Sequence, residues 1–426
     1  MGDAGALKAD DKVQPLVVDL DGTLLRSNLL LERALAFVRA QPLNLLKTLF
    51  WAAHGNGALR QHLEAATKID VSVLPYEPAV LESIAAAREA GRPVLLAAHD
   101  GAVANDIAQH LKLFDQVVAT GASGVREQAR VRGLNIAPWV QALRLHQWVK
   151  NALIFVPLLS AHQLTNLSLL GRGALAFLLF GLCASSVYLL NDLLDLEDDR
   201  HHKSKRLRPF ASGRLSIKAG LIAFPLLLMA SFAGALLFLP WQFAAALGIY
   251  YILTLSYSLS LKRQMAVDVI ALALLYTIRV VAGAAAFQLP LTFWLLAFST
   301  FMFLSLALSK RYSELRDAQV RGQTEKTRGR DYDPGDLDMI SALGAAAGYQ
   351  SIIVLALYVR DPHTIILYTR PDLIWLACPL LLFWVTRMWM LTHRGQVHDD
   401  PVVFAISDRV SLIVGALFCL VFLAAT

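Results

Sequence analysis

The sequence predicts an all-α polytopic membrane domain of nine transmembrane helices preceded by a small, truncated α/β domain. Three observations lead there. Of 426 residues, 56% are hydrophobic and only 17% charged, against roughly 45–50% and 25% in soluble globular chains. The apolar excess lies beyond about residue 140, where runs of the roughly 20 residues needed to cross a bilayer core recur. Before that point, short apolar runs alternate with helical stretches in an ordinary mixture. The expected organisation is a cytosolic α/β domain over 1–121, a linker over 122–137 and the membrane domain over 138–426.

In the N-terminal part, the apolar run Val13 to Val18 ends at Asp19, and Pro93 to Ala98 ends at His99 and Asp100. Between them lies a helical stretch, Ala79 to Ala90, closed by Gly91, and a third short run, Gln116 to Ala119, ends in Thr120 and Gly121. Strands alternating with helices predict a small parallel sheet. The segment Leu43 to Ala53 is more apolar than a soluble helix face requires and is expected to lie on the membrane or the membrane domain. No secretory leader is expected, because Met1 to Gln14 contains Lys8, Asp10, Asp11 and Lys12 and no apolar core.

Candidate spans fall near 148–165, 171–190, 217–239, 241–260, 266–288, 293–309, 338–359, 370–391 and 408–426. With the N-terminus inside, the inner loops 191–216, 257–265, 310–337 and 387–407 hold 6, 2, 7 and 2 Lys/Arg, and the outer connections only Arg360 and Arg370. That asymmetry predicts a bacterial-type inner or plasma membrane protein with its N-terminus and active-site loops cytoplasmic and its C-terminus outside. The net charge of +6 then reports topology and an anionic partner, a phosphate group or membrane lipid. Nucleic acid is not expected, since no basic stretch alternates with exposed aromatics. Cys183, Cys378 and Cys419 all sit in apolar runs without metal or redox spacing and are expected as buried thiols. The sequence leaves the oligomeric state open, a homo-oligomer included.

Two constellations carry chemistry. The first is Asp19-Leu20-Asp21-Gly22-Thr23-Leu24 at a strand end, two carboxylates that could act as nucleophile and proton donor on a bound Mg²⁺. This region resembles the haloacid dehalogenase-like (HAD) phosphatases over about 13–120, which implies those roles for Asp19 and Asp21. The pattern departs where that family places a Ser or Thr at the next strand end, here Ala97-Ala98-His99-Asp100, and the later Lys and second acid pair are absent from the sequence. A degenerate, structural or regulatory domain is expected, not an active phosphatase.

The second is Asn191-Asp192-Leu193-Leu194-Asp195-Leu196-Glu197-Asp198-Asp199. On an unbroken helix Asp192, Asp195 and Asp199 share one face, and carboxylates so close repel unless a cation lies between them. A hard dication, Mg²⁺ above all, suits oxygen ligands and bridges to diphosphates. Lys203, Lys205, Arg206 and Arg208 follow, placed to hold phosphate oxygens. Positive-inside topology alone explains these cations but not the acids.

An NDxxDxxxD segment followed by a basic stretch in a chain of many spans is similar to the UbiA superfamily of intramembrane prenyltransferases, and the resemblance covers about 138–426. Other matching pieces are Leu145-His146-Gln147-Trp148-Val149-Lys150-Asn151, Tyr257-Ser258 with Lys262-Arg263, and Lys310-Arg311-Tyr312-Ser313-Glu314-Leu315. Together they look most like the polyprenyl-phosphate phosphoribosyltransferase branch, which moves phosphoribose from 5-phosphoribosyl diphosphate (PRPP) onto a lipid phosphate. Prenyl-transferring members carry a second DxxxD cluster after the sixth span; here that loop is cationic, which suits an anionic acceptor. The resemblance implies Asn191, Asp192, Asp195 and Asp199 as catalytic, the three aspartates as Mg²⁺ ligands, and Lys150, Asn151, Lys203, Lys205, Arg206, Arg208, Tyr257, Lys262, Arg263, Asp268, Arg279, Lys310, Arg311, Tyr312 and Glu314 as substrate-binding. Arg279 also stands out unaided, about 20 Å into the fifth span, where a charge is a functional hypothesis by default. A prenyltransferase acting on an aromatic or quinone precursor is the alternative, and a non-catalytic membrane scaffold is a third reading.

Overall fold

The computed structural model describes residues 14–121, 125–127, 135–321, 331–361, 368–397 and 400–426. Most of the expected 122–137 linker and part of the 310–337 loop lie outside the described residues. The chain divides into two compact units, Met1–Arg144 with Tyr188–Leu226 and Leu145–Val187 with Leu227–Thr426.

The first unit holds strands β1 (Leu16–Asp19), β2 (Val94–Ala98), β3 (Gln116–Ala119) and β4 (Val125–Arg126), and helices α1 (Leu29–Ala40), α2 (Asn44–Ala53), α3 (Asn56–Ala66), α4 (Pro78–Glu89), α5 (Gly101–Leu111) and α6 (Ala137–Ala142). The strands are parallel in the order β3-β2-β1-β4. Asp19 pairs in register with Ala97, and Ala98 with Ala119, so the three chemistry-bearing strand ends lie along one sheet edge. Val18, Leu24, Ile84, Leu96 and Ile107 fill the core beneath. The chain reverses after β1 at Gly22, whose φ of +82° is costly for a side-chain-bearing residue. Asn28 starts α1 by accepting from the Leu31 amide at 3.1 Å, as an N-cap should. On α2, Leu46, Leu49 and Phe50 are exposed, so the helix presents an apolar face.

The helices that follow are α7 (Val156–Ser160), α8 (Leu167–Leu194), α9 (Leu196–His201), α10 (Ile217–Phe238), α11 (Trp241–Leu259), α12 (Val267–Phe287), α13 (Phe293–Val320), α14 (Leu337–Val359), α15 (Ala377–His393), α16 (Pro401–Ser407) and α17 (Arg409–Ala425). Both α8 and α10 carry residues of both units. Among the described residues, seven helices are long and apolar enough to cross a membrane, or up to eight if α16 and α17, bent by 82°, form one span. This is a multi-pass membrane protein, but the count differs from the expected nine.

With α16 and α17 taken as one span the difference falls at 148–165; otherwise 408–426 falls short as well. In the first of these stretches a 3₁₀ run, Leu145–Phe155, is followed by the short α7, with Pro157 in its first turn. Proline lacks the amide hydrogen a continuing helix needs and fits the start of a new one. Lys150 and Asn151 are buried within the run, where an apolar transmembrane helix would place hydrocarbon. The run lies directly on α12: a Cβ on Gly283 would overlap the Ile154 carbonyl oxygen.

Gly283→Ala should therefore lower the thermal midpoint in detergent, since overpacking costs about 1–3 kcal/mol. Gly171→Ala, where the added carbon meets open space, should leave it unchanged or raise it; equal midpoints for the two variants would contradict the packing described.

Candidate active site

Within the first unit, α8 ends at Leu194 and α9 starts at Leu196. Asp195 sits between them with φ −95° and ψ 16°, so the acidic segment is broken where an unbroken helix would align three carboxylates. Asp192 and Asp199 nevertheless converge. Arg208 Nη1 donates to Asp192 Oδ1 at 3.1 Å and to Asp199 Oδ2 at 2.8 Å. Arg144 Nη2 donates to the same Asp192 oxygen at 2.5 Å while its guanidinium lies over the Tyr188 ring at 4.8 Å. Arg208 is turned inward by its position before Pro209, which holds it extended at φ −61° and ψ 148°. Burial pushes the Asp199 carboxyl above its usual range, opposed by Arg208. Asp195 turns instead to Arg39, at 3.4 Å. Lys203, Lys205 and Arg206 are exposed.

Among the described residues no group of three or more His, Cys, Asp and Glu is arranged as a metal cage. Mg²⁺, however, is commonly held by one or two carboxylates with water and substrate phosphates completing the shell. Asp192 and Asp199 fit that role, because the nitrogen they share shows that both can face a single cation.

The second unit gathers other expected residues around two buried carboxylates. Asp400 accepts from Lys150 Nζ at 2.7 Å and from the Tyr276 hydroxyl at 2.8 and 2.6 Å, with Lys310 Nζ at 3.5 Å. It also caps α16 through the Val402 amide at 3.1 Å. Asp268, fully buried, pairs with Arg311 at 2.5 Å and accepts from the Tyr332 hydroxyl at 2.6 Å. Arg311 also pairs with Glu314. Arg279 donates to the Asn151 side chain at 3.2 Å and lies 5.2, 5.0 and 5.9 Å from the ring centres of Phe180, Tyr250 and Tyr276. Tyr312 bonds His393 at 2.9 Å. Tyr257 and Lys262 are half-buried and Arg263 is exposed.

Tyr276 and Tyr332, which bond the two buried carboxylates, escaped the sequence reading, and so did Arg144 and Asp400. Arg144 lies just before the His146-Gln147-Trp148 piece and offered no spacing of its own. Asp400 stands before Pro401 at the head of an apolar run, and the one local signal there, an N-cap signature, carries no hint of an anion between lysines. At the sheet edge, Asp21 Oδ1 accepts from the Leu29 amide at 3.1 Å, and burial raises its pKa. Asp100 caps α5 and is held by Arg33 at 2.7 Å.

Residues 152–412 match the UbiA prenyltransferase family. The chain belongs to that family. The UbiA match takes in the acidic segment, Lys310, Arg311 and Asp400, and begins after the α/β region. Uncharacterized protein y4nM of Sinorhizobium fredii is 34% identical over 97% of this chain and 92% of its own length, so that likeness runs through the N-terminal region too. Decaprenyl-phosphate phosphoribosyltransferase of Mycobacterium tuberculosis is 34% identical over 65% of this chain and 89% of its own. A solved UbiA homolog from Archaeoglobus fulgidus, bound to GPP and Mg²⁺, superposes with a TM-score of 0.51 at 16% identity, covering 68% of this chain and 99% of that one; it shares the fold.

Asp400→Ala leaves two lysines without the carboxylate between them. Breaking a buried pair costs about 3–5 kcal/mol, and the third of Lys310 that stays exposed puts the expected loss at the lower end, read as a fall in thermal midpoint in detergent. A melt equal to wild type would show that the Asp400 cluster contributes nothing to stability.

Proposed function

We propose that this UbiA-family transferase moves 5-phosphoribose from PRPP to a polyprenyl (decaprenyl-type) phosphate at the cytoplasmic membrane face, with Mg²⁺, in the synthesis of cell-envelope glycolipid precursors. The observation that carries this reading is that Lys150 and Lys310 converge on one carboxylate, an arrangement suited to a single anionic group such as a lipid phosphate. The name of the mycobacterial relative points the same way. A neutral aromatic acceptor would gain little from those cations.

In this reading Asp192 and Asp199 hold Mg²⁺, which when bound neutralises the diphosphate leaving group. Arg208 exchanges its carboxylate bonds for donor phosphate oxygens, and Lys203, Lys205 and Arg206 orient the remainder. Lys150, Lys262, Arg263 and Lys310 position the acceptor phosphate, with Arg279 adding positive charge. Arg311 serves by keeping Asp268 and Glu314 in place, because its guanidinium is already committed to them. The ribose C1–O bond to diphosphate breaks and a C1–O bond to the lipid phosphate forms. The acceptor, already an anion, needs no strong base, so positioning does the work. The N-terminal region is read as a degenerate HAD-like domain: its parallel sheet brings Asp19 to the edge next to Ala97 and Ala98, where a hydroxyl would be required.

Purified protein given radiolabelled PRPP, polyprenyl phosphate and Mg²⁺ should carry label into the lipid phase, and Asp192→Asn and Asp199→Asn should each abolish transfer while the protein stays folded. Consumption of labelled prenyl diphosphate instead would favour the aromatic-acceptor reading. Lys310→Ala should raise the acceptor KM by about tenfold or more, a charge-assisted contact being worth about 1.5–3 kcal/mol. If only the donor KM rises, the anionic-acceptor reading is wrong.

A further inference from the structure

The N-terminal helix α1 reaches the acidic segment through two charged side chains. Glu32 and Arg39 are seven residues apart and share a helix face. Glu32 takes both terminal nitrogens of Arg200, at 2.9 and 2.7 Å, and both residues are buried. Arg200 is fixed from the other side by donating Nε to the Ala211 carbonyl at 3.0 Å. This fork-to-fork pair pins α9, because a planar guanidinium bound at both ends tolerates little rotation. Arg39 then pairs with Asp198 and lies 3.4 Å from Asp195. At Asp195 the helix is broken, and its side chain makes no cap bond to α9.

We propose that α1 is a built-in restraint on the metal-binding segment, in which Arg39 withholds Asp195 from Asp192 and Asp199. Three facts support it: the buried Glu32–Arg200 fork holds α9, the break falls at one of the two aspartates Arg39 pairs with, and the two carboxylates of the motif that Arg39 does not touch are the two that converge. Glu32 and Arg39 are thus positioning residues. They touch no substrate and set how many carboxylates face the cation. A hard dication gains affinity with each added carboxylate, so releasing Arg39 should tighten metal binding. The α/β region, without phosphatase equipment of its own, thereby acts on the chemistry of the membrane transferase. The inference rests on Asp192 and Asp199 being metal ligands.

Full-length protein in detergent can be titrated with Mn²⁺ by electron paramagnetic resonance, and the backbone of 192–201 followed by hydrogen–deuterium exchange. Arg39→Ala should bind Mn²⁺ about two- to fivefold more tightly, the range expected for partly exposed ion pairs, and should exchange faster around Asp195. Arg39→Lys should resemble wild type, and adding Asp195→Asn to Arg39→Ala should remove the gain. Unchanged or weaker Mn²⁺ binding by Arg39→Ala, with Asp192→Asn abolishing binding, overturns the restraint. If Asp192→Asn leaves Mn²⁺ binding intact, the metal reading is what fails. The restraint is then judged by exchange alone, and wild-type exchange in Arg39→Ala overturns it.

Discussion

A carboxylate taken out of water costs several kcal/mol unless cations and hydrogen bonds replace its hydration, and the functional parts of this chain are organised by that requirement. Asp192, Asp199, Asp268 and Asp400 are all buried. Each is met by a cation brought from another part of the chain: Arg144 and Arg208, Arg208 again, Arg311, and Lys150 with Lys310. These pairs set local conformation as well as charge. Lys150 has to turn inward to reach Asp400, which helps explain why residues 145–155 do not continue as an ordinary apolar helix. Arg208 has to fold back from the basic run, which the proline after it favours.

Much of this was legible in the sequence, and most of the failures share one cause. The strand ends at Asp19, Ala98 and Ala119, the long apolar helices and the acidic segment all announce themselves locally, through period, capping and the improbability of clustered acids beside a membrane span. What could not be read depends on distant partners. The helical spacing of Asp192, Asp195 and Asp199 assumes an unbroken helix, and nothing near residue 195 reveals that Arg39 draws that side chain away. Asp400 has the local signature of a helix cap, which it is, but its second role needs Lys150 to arrive from 250 positions earlier. The first expected span failed for a different reason. Hydropathy weighs Lys150 and Asn151 as two polar residues in a long apolar run, without registering that both are buried and bonded or that Pro157 begins a new helix.

The likeness to y4nM extends over nearly the whole chain, whereas the family match starts at residue 152. The α/β region is therefore not peculiar to this sequence. Its parallel order places the β1 end beside the reversal of strand order, the position at which open parallel sheets usually bind ligands. Here that edge is occupied by internal bonds: Asp21 holds the Leu29 amide and Asp100 holds Arg33. Both bonds go to residues of α1, so this edge positions that helix.

Arg279 is handled differently from every other buried cation described. Its guanidinium is surrounded by the rings of Phe180, Tyr250 and Tyr276 and by neutral acceptors, including the Leu275 carbonyl. Ring faces attract a cation through their quadrupoles, and a quadrupole stabilises a monopole without cancelling it. The lysines around Asp400 are instead matched by a full opposing charge. Among the described residues Arg279 has no carboxylate at ion-pair distance, so the positive potential it lends the helices around it is tempered by rings and neutral acceptors and not by a direct opposing charge.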